Sequence, residues 1–243
     1  MKRPTRLWVA TLIAVAWLVL GGRPSSAEWF ADIYAGASFT DSQDVKVHDR
    51  VVGRGTYRDV DFSTSLAYGG RFGRYFDAVP FLGVAVDYFN FSPKVASQSV
   101  AGDGCFLGAG CGSGQVRTGR IDISSMALSA DLMLRLPLFR TAEEPRGVLQ
   151  PYIGVGAPIF ITTVTPRSTA QFRNHDGETD ISFGYKAAGG VAVWLSKNLG
   201  LFGEYRFTHT TTDVDLHDAV LRRASFRTDL DTHSFLTGIA VRW

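Results

Sequence analysis

Apolar and polar residues alternate with a period of two along eight segments of the chain, which is the pattern of β-strands with one apolar face. In the last segment, THSFLTGIAVRW at 232–243, one face carries Phe235, Thr237, Ile239, Val241 and Trp243. The alternation predicts strands over 29–40, 63–74, 81–91, 121–136, 151–164, 179–195, 199–210 and 232–243. We therefore expect an all-β protein.

The predicted strands are long, and the connections between them alternate in length. A strand of a soluble sheet usually has about five or six residues, whereas a tilted strand that crosses a bilayer needs about 9 to 11. We assign four connections as long outer loops (41–62, 92–120, 165–178 and 211–224) and the three between them as turns (75–80, 137–150 and 196–198), of which 137–150 equals the last two loops in length. This alternation favours an eight-stranded antiparallel up-and-down transmembrane β-barrel with long outer loops and short periplasmic turns.

The face opposite the apolar one carries five cations and four anions, which nearly cancel. A barrel of eight strands is just wide enough for side chains to fill it, so we expect these charges to pair inside and to leave no open channel. Small residues on the same face, such as Gly69 and Gly156, leave room for long side chains. The charged residues are Asp32, Arg71, Asp87, Asp131, Arg135, Lys186, Glu204, Arg206 and Arg242, of which all but Asp32 and Arg242 are assigned to one interior network.

The first 27 residues have the features of a cleaved secretory signal peptide. A basic start (MKRPTR) precedes a fourteen-residue apolar run at 7–20, and small residues follow at 25–27. The run is shorter than the roughly 18 to 20 residues that a spanning helix needs. Removing this segment takes away four basic residues and changes the formal charge from +2 to about −2, so the composition does not indicate nucleic-acid binding. We expect residues 28–243 to form the barrel domain.

Three segments resemble recurrent strands of the small eight-stranded outer-membrane barrels, the opacity-protein and OmpA-transmembrane-domain type. They are PYIGVGAP at 151–158, LGLFGEYRFTH at 199–209 and the terminal THSFLTGIAVRW. The resemblance implies insertion by the outer-membrane assembly machinery, which in that family recognises a last strand ending in an aromatic residue. It assigns that role to Phe235, Ile239, Val241 and Trp243, although phenylalanine is the usual final residue there. We expect no peptidoglycan-binding domain after the barrel.

Two cysteines lie close together in the second long connection, in the sequence CFLGAGC. An even pair in an exported chain favours a disulfide between Cys105 and Cys111. The alternative is two free thiols, and a metal site is disfavoured because no second His or Cys pair lies nearby. The glycine-rich tract at 108–114 lacks the lysine and the strand-to-helix context of a phosphate loop.

His209 and Thr211 form the one pattern that hints at an enzyme. Some eight-stranded barrels are lipid A deacylases with a histidine and a serine two positions apart on an outward face, and an alkoxide nucleophile needs an adjacent base. Here threonine replaces the serine, so placement at the membrane interface is the preferred interpretation. The same holds for His233, which lacks a third ligand for a metal. We assign no catalytic, cofactor-binding or metal-binding residue.

The sequence thus predicts a structural or surface-interaction role without enzymatic activity or a cofactor. The expected partners are outer-membrane lipid and lipopolysaccharide, the assembly machinery, and a surface ligand at the outer loops, where His48, Arg50, Arg54 and Arg58 lie. A narrow porin-like channel and a lipid A-modifying hydrolase remain as alternatives. A soluble periplasmic β-sandwich is the rival fold, and the strand lengths and the charged inner face disfavour it.

Overall fold

The computed structural model describes residues 28–49, 53–106, 110–118, 120–141, 144–167, 178–216 and 224–243. The expected signal peptide at 1–27 and the loop residue Arg50 lie outside the described residues. Within the described ranges, no helix is long and apolar enough to cross a membrane.

Thirteen strands are present in the described part of the chain. They are β1 (Glu28–Thr40), β2 (Gln43–Asp49), β3 (Gly53–Val60), β4 (Ser65–Tyr75), β5 (Leu82–Phe91), β6 (Lys94–Val95), β7 (Ser99–Phe106), β8 (Gly110–Arg117), β9 (Arg120–Arg135), β10 (Leu149–Arg167), β11 (Glu178–Trp194), β12 (Leu199–Leu216) and β13 (Ala224–Arg242).

Eight of these strands close into an antiparallel barrel, in the order β1-β4-β5-β9-β10-β11-β12-β13. The last strand returns to the first with a continuous register from Phe30 opposite Arg242 to Thr40 opposite Thr232. Below this register, the backbones of Trp29 and Trp243 form two N–H to O hydrogen bonds with each other, each 3.1 Å long. Because both edges are paired along this seam, the backbone groups of the final strand have partners. The expected fold class, an eight-stranded antiparallel up-and-down barrel, is confirmed.

The prediction that the two longest connections are loops is wrong, because both contain strands. Residues 41–62 hold β2 and β3, and residues 92–120 hold β6, β7 and β8. The hairpins β2-β3 and β7-β8 pair with each other, and β2 pairs with the upper part of β13, so they extend one side of the barrel wall upward. The alternation is lost there because residues 110–115 are all exposed, so no face requires apolar residues.

Within the barrel strands, side chains alternate between the lumen and the outside as predicted. The outward positions carry exposed large apolar residues, such as Ile33 at 67% and Phe183 at 71%. The inward positions hold an aromatic core together with the charges, and Phe89, Phe91 and Phe160 pack with ring centroids 5.9 to 6.5 Å apart. A second apolar cluster of Val45, Val60, Val95 and Val100 lies at the upper end, where the hairpins meet.

Candidate functional site

The lumen is the candidate functional site, because the charged side chains of the barrel converge there. All nine charged residues of the predicted inner face are buried, with exposed fractions between 0% for Asp87 and 7% for Arg135. Each faces inward because it alternates with outward apolar neighbours on its strand. They are Asp32, Arg71, Asp87, Asp131, Arg135, Lys186, Glu204, Arg206 and Arg242.

Glu204 on β12 accepts hydrogen bonds from two arginines at the centre of the lumen. Arg71 Nη1 donates to Glu204 Oε2 at 2.8 Å, and Arg206 donates through Nε and Nη2 to Glu204 Oε1 at 3.0 and 2.7 Å. Arg71 also donates through Nε to Asp32 Oδ2 at 2.8 Å, and Arg206 Nη2 lies 2.9 Å from Asp87 Oδ2. Since β4 and β12 are not neighbours in the barrel, the bond from Arg71 to Glu204 crosses the lumen.

Lys186 on β11 extends the same group of charges toward the other wall. Its Nζ lies 2.5 Å from both Asp87 Oδ2 and Asp131 Oδ2, and the Ser129 hydroxyl donates to Asp131 Oδ1 at 2.5 Å. β11 is adjacent to neither β5 nor β9, which carry these two aspartates. We call the seven residues Asp32, Arg71, Asp87, Asp131, Lys186, Glu204 and Arg206 the central cluster.

Two tyrosines complete the central cluster, and the sequence argument did not single them out. The hydroxyl of Tyr34 donates to Asp87 Oδ1 at 2.5 Å, and that of Tyr152 donates to Glu204 Oε2 at 2.8 Å. The cluster holds four carboxylates and three cations, so its formal charge is −1, and these hydroxyl donors help to satisfy the excess carboxylate. Their signal was available, because Tyr34 shares the inward parity of Asp32 on β1.

A separate lower cluster closes the end of the lumen where Glu28 and Arg242 lie. Arg135, which the sequence placed in one network with the central residues, instead donates to both carboxylate oxygens of Glu28 at 2.7 Å. Arg242 Nη2 donates to Glu144 Oε2 at 2.6 Å, so the turn after β9 reaches under the barrel. Arg146 Nε lies 3.7 Å from Glu28 Oε2, which gives this lower cluster three cations and two anions. Its formal charge of +1 balances the −1 of the central cluster.

Inward glycines occupy positions where a side chain would collide with the charged clusters. A Cβ on Gly156 would lie 2.1 Å from Asp131 Oδ1, and a Cβ on Gly69 would lie 2.6 Å from the Tyr34 hydroxyl. Between the two clusters lies a cavity of about 30 Å³, beside Trp194, whose indole Nε1 has no hydrogen-bond partner among the described residues. That volume accommodates one or two water molecules.

Hydroxyl side chains fill the lumen above the central cluster. They hydrogen-bond in pairs between neighbouring strands, since Ser38 and Ser234 lie 2.6 Å apart and Thr40 and Thr232 lie 3.0 Å apart. The pairs Ser125 with Thr162 and Ser182 with Thr210, each at 2.9 Å, continue the layer. These mutual bonds satisfy most of the buried hydroxyls without charges.

His209, Thr211 and His233 lie on the outward face at the upper end of the apolar band. His209 Nδ1 lies 2.5 Å from Asp231 Oδ1, whereas the Thr211 hydroxyl donates to Asp229 Oδ1 at 2.7 Å. The His209 ring stacks on Tyr185 at 4.9 Å. The threonine that would act as a nucleophile is therefore bonded to a carboxylate and not to His209. No group of three or more metal-ligating side chains occurs in the described ranges.

His233 lies on β13, the strand that neighbours β12. Its Nδ1 is 2.6 Å from the Tyr205 hydroxyl, and its Nε2 is 3.4 Å from Asp41 Oδ2.

The remaining predicted positions lie on the last strand and in the hairpins β2-β3 and β7-β8 at the upper end of the barrel, which we call the rim hairpins. Cys105 and Cys111 are directly opposite in the β7-β8 hairpin and are joined by a disulfide in the structure. In the first hairpin, Arg54 Nε donates to His48 Nδ1 at 3.1 Å, and Arg58 pairs with Asp103. The assembly-signal positions all face outward, with exposed fractions between 40% and 59%: Phe235, Ile239, Val241 and Trp243.

The fold is similar to that of the outer membrane protein OprG from Pseudomonas aeruginosa, with a TM-score of 0.56. The alignment covers 89% of this chain and 96% of that chain at 14% identity, so the likeness is one of fold. Neisserial surface protein A, NspA, aligns over 89% of this chain and 97% of that chain at 14% identity, with a TM-score of 0.47. No protein-family model matches the sequence, and no curated protein matches it. The predicted resemblance to small outer-membrane barrels is confirmed at the level of fold.

Proposed function

We propose that this chain is an integral outer-membrane barrel with a structural and surface-interaction role, exported by a signal peptide that is removed after residue 27. The observation that carries the proposal is the inverted distribution of polarity, with large apolar side chains outside and charged clusters inside. In water, such an exposed apolar belt would far exceed the few hundred Å² that a soluble protein normally exposes in one patch.

The height of the apolar band supports a bilayer as its environment. From Met126 on β9 to Leu136, the residue after the strand, the outward positions are apolar without interruption. Ten residue steps of about 3.3 Å, tilted by about 40°, give a height of roughly 25 Å. That value equals the approximate height of the lipid-facing band of outer-membrane barrels.

The location is tested by separating inner and outer membranes of expressing cells on a density gradient and washing the outer-membrane fraction with urea. The proposal predicts that the protein stays in the washed outer membrane and that its N-terminal residue is Glu28. Recovery in the soluble periplasmic fraction would contradict it. Binding to the assembly machinery, expected from the outward Phe235, Ile239, Val241 and Trp243, belongs to the same proposal.

For the lumen we propose a closed interior whose ion pairs stabilise the barrel, and not a solute pathway. The bonds from Arg71 to Glu204 and from Lys186 to Asp87 cross the lumen between strands that are not neighbours. A porin-like channel would require these bonds to rearrange. Single-channel recording in planar bilayers tests this, and stable conductance steps from the wild-type protein would overturn the closed interior.

The surface role is proposed for the rim hairpins, which rise above one side of the barrel. Their charged side chains, including Arg54, Arg117 and Asp103, are suited to polar partners such as lipopolysaccharide or a surface ligand. The hydrolase alternative has less support, because the Thr211 hydroxyl is bonded to Asp229. A deacylation assay on lipopolysaccharide checks it: product formation that disappears in His209→Ala would establish an enzyme.

A further inference from the structure

The lower end of the outer wall carries a cation, Arg74 on β4, that differs from the cations of the lumen. The alternation of the strand turns Arg71 inward, where it meets Asp32 and Glu204, but turns Phe72 and Arg74 outward. Among the described residues, no carboxylate lies within 4.0 Å of the Arg74 guanidinium, and its buried Nε has no hydrogen-bond partner. The Arg74 side chain is only partly buried, so the observation that points to a ligand is the buried Nε, which lacks an acceptor that a bound anion can supply.

Aromatic side chains hold Arg74 in place at this end of the barrel. Its guanidinium carbon lies 5.5 Å from the centroid of the Trp29 ring, within the range of a cation–π contact. Trp29 stacks on Phe72 with centroids 5.2 Å apart, and Phe72 lies 6.2 Å from the ring of Trp243. Phe72 comes from β4, and Trp29 and Trp243 are paired with each other at the lower end of the β1-β13 seam, so the cluster is fixed by barrel closure.

The level of this cluster indicates which anion meets Arg74, given the proposed function on which this step rests. Tryptophan rings of membrane proteins lie at the height of the lipid headgroups. A guanidinium binds phosphate oxygens through two parallel hydrogen bonds and is the preferred partner for that group. We propose that Arg74, Trp29 and Trp243 form a binding site for the phosphodiester of a phospholipid in the periplasmic leaflet.

The test uses the tryptophans of the site as reporters. The chain from residue 28 onward has three tryptophans, of which Trp29 and Trp243 are outward, whereas Trp194 faces the lumen and gives a constant background. The full mature barrel is refolded in vesicles of phosphatidylglycerol and phosphatidylcholine, with bromine on the acyl chains of one lipid or the other. The two quenching curves give the affinity for phosphatidylglycerol relative to phosphatidylcholine, whose choline competes for its own phosphate.

Wild-type protein should prefer phosphatidylglycerol by about threefold or more, as expected for one interfacial charge-assisted contact. Arg74→Gln should reduce the ratio to near one, and Arg74→Lys should retain part of it. The matched control is Lys197→Gln, which removes an exposed cation from a turn at the same end and should keep the wild-type ratio.

Each other outcome overturns the site. Equal preference for phosphatidylglycerol in wild type and Arg74→Gln would mean that the aromatic residues alone contact lipid. Loss of that preference in both Arg74→Gln and Lys197→Gln would mean a diffuse charge effect. If inorganic phosphate removes the preference in wild type as completely as Arg74→Gln does, the site takes free phosphate and not a lipid headgroup. Absence of quenching by either brominated lipid in every variant would contradict the proposed membrane location itself.

Discussion

Replacing Glu204 by alanine should lower the free energy of unfolding by about 3 to 5 kcal/mol, the cost of breaking a buried ion pair. The Glu204 side chain is completely buried and accepts hydrogen bonds from Arg71, Arg206 and Tyr152. Without Glu204, Arg71 still pairs with Asp32 and Arg206 still pairs with Asp87, so neither guanidinium loses its last carboxylate partner. The destabilisation comes from the buried donors that lose their acceptor, at about 1 to 3 kcal/mol each, partly recovered by water in the vacated space.

The assay is urea-induced unfolding of the refolded barrel in phospholipid vesicles, followed by tryptophan fluorescence under conditions where unfolding and refolding curves coincide. Asp213→Ala is the matched control, because Asp213 lies on the same strand but its side chain is exposed. The control should stay within about 0.5 kcal/mol of wild type. If Glu204→Ala and Asp213→Ala had equal unfolding free energies, the central cluster would not stabilise the fold and the reasoning would be refuted.

Three further predictions concern the rim, the lumen and the last strand. Intact mass should rise by about 2 Da on reduction of the Cys105–Cys111 bond, while the unfolding midpoint of the barrel stays unchanged because the short bridge constrains only a rim hairpin; a count of two free thiols without reductant would show that the bond is absent. Gly156→Val should prevent refolding or destabilise the barrel by several kcal/mol, because a Cβ there would lie 2.1 Å from Asp131 Oδ1, and wild-type urea stability would contradict the packing. Trp243→Ala should reduce the folded protein in outer membranes of expressing cells with little effect on refolding in vesicles, and an equal loss in both would indicate a structural role instead.

The barrel strands could be predicted from the sequence because each has one apolar outer face and one polar inner face. That difference imposes a period of two, and it located β9, β11 and the inward Lys186 and Glu204. The rim hairpins could not be predicted in this way. Residues 110–115 are all exposed, so β8 is held by backbone hydrogen bonds to β7. Such bonds do not require apolar residues at alternate positions, and the sequence therefore shows no period of two there.

The interior charges were predictable by face but not by partner. Parity showed that Arg135 and Arg71 both point inward, yet it gave no height along the lumen, so Arg135 was grouped with residues that it does not pair with. Its partner Glu28 begins β1, and Glu144 lies in a turn, where alternation gives no direction. Cross-lumen contacts depend on the register of all eight strands, which no single segment encodes.

The central claim is that the exposed apolar face belongs to a closed barrel in a bilayer, and electrophoresis of the outer-membrane extract with and without boiling tests it most directly. A closed barrel keeps its compact form in detergent until it is heated, so the account predicts a faster band without boiling that shifts to the mobility expected for the unfolded chain after boiling. One band of unchanged mobility, in a protein recovered from the soluble periplasm, would contradict the assignment of every inward and outward face.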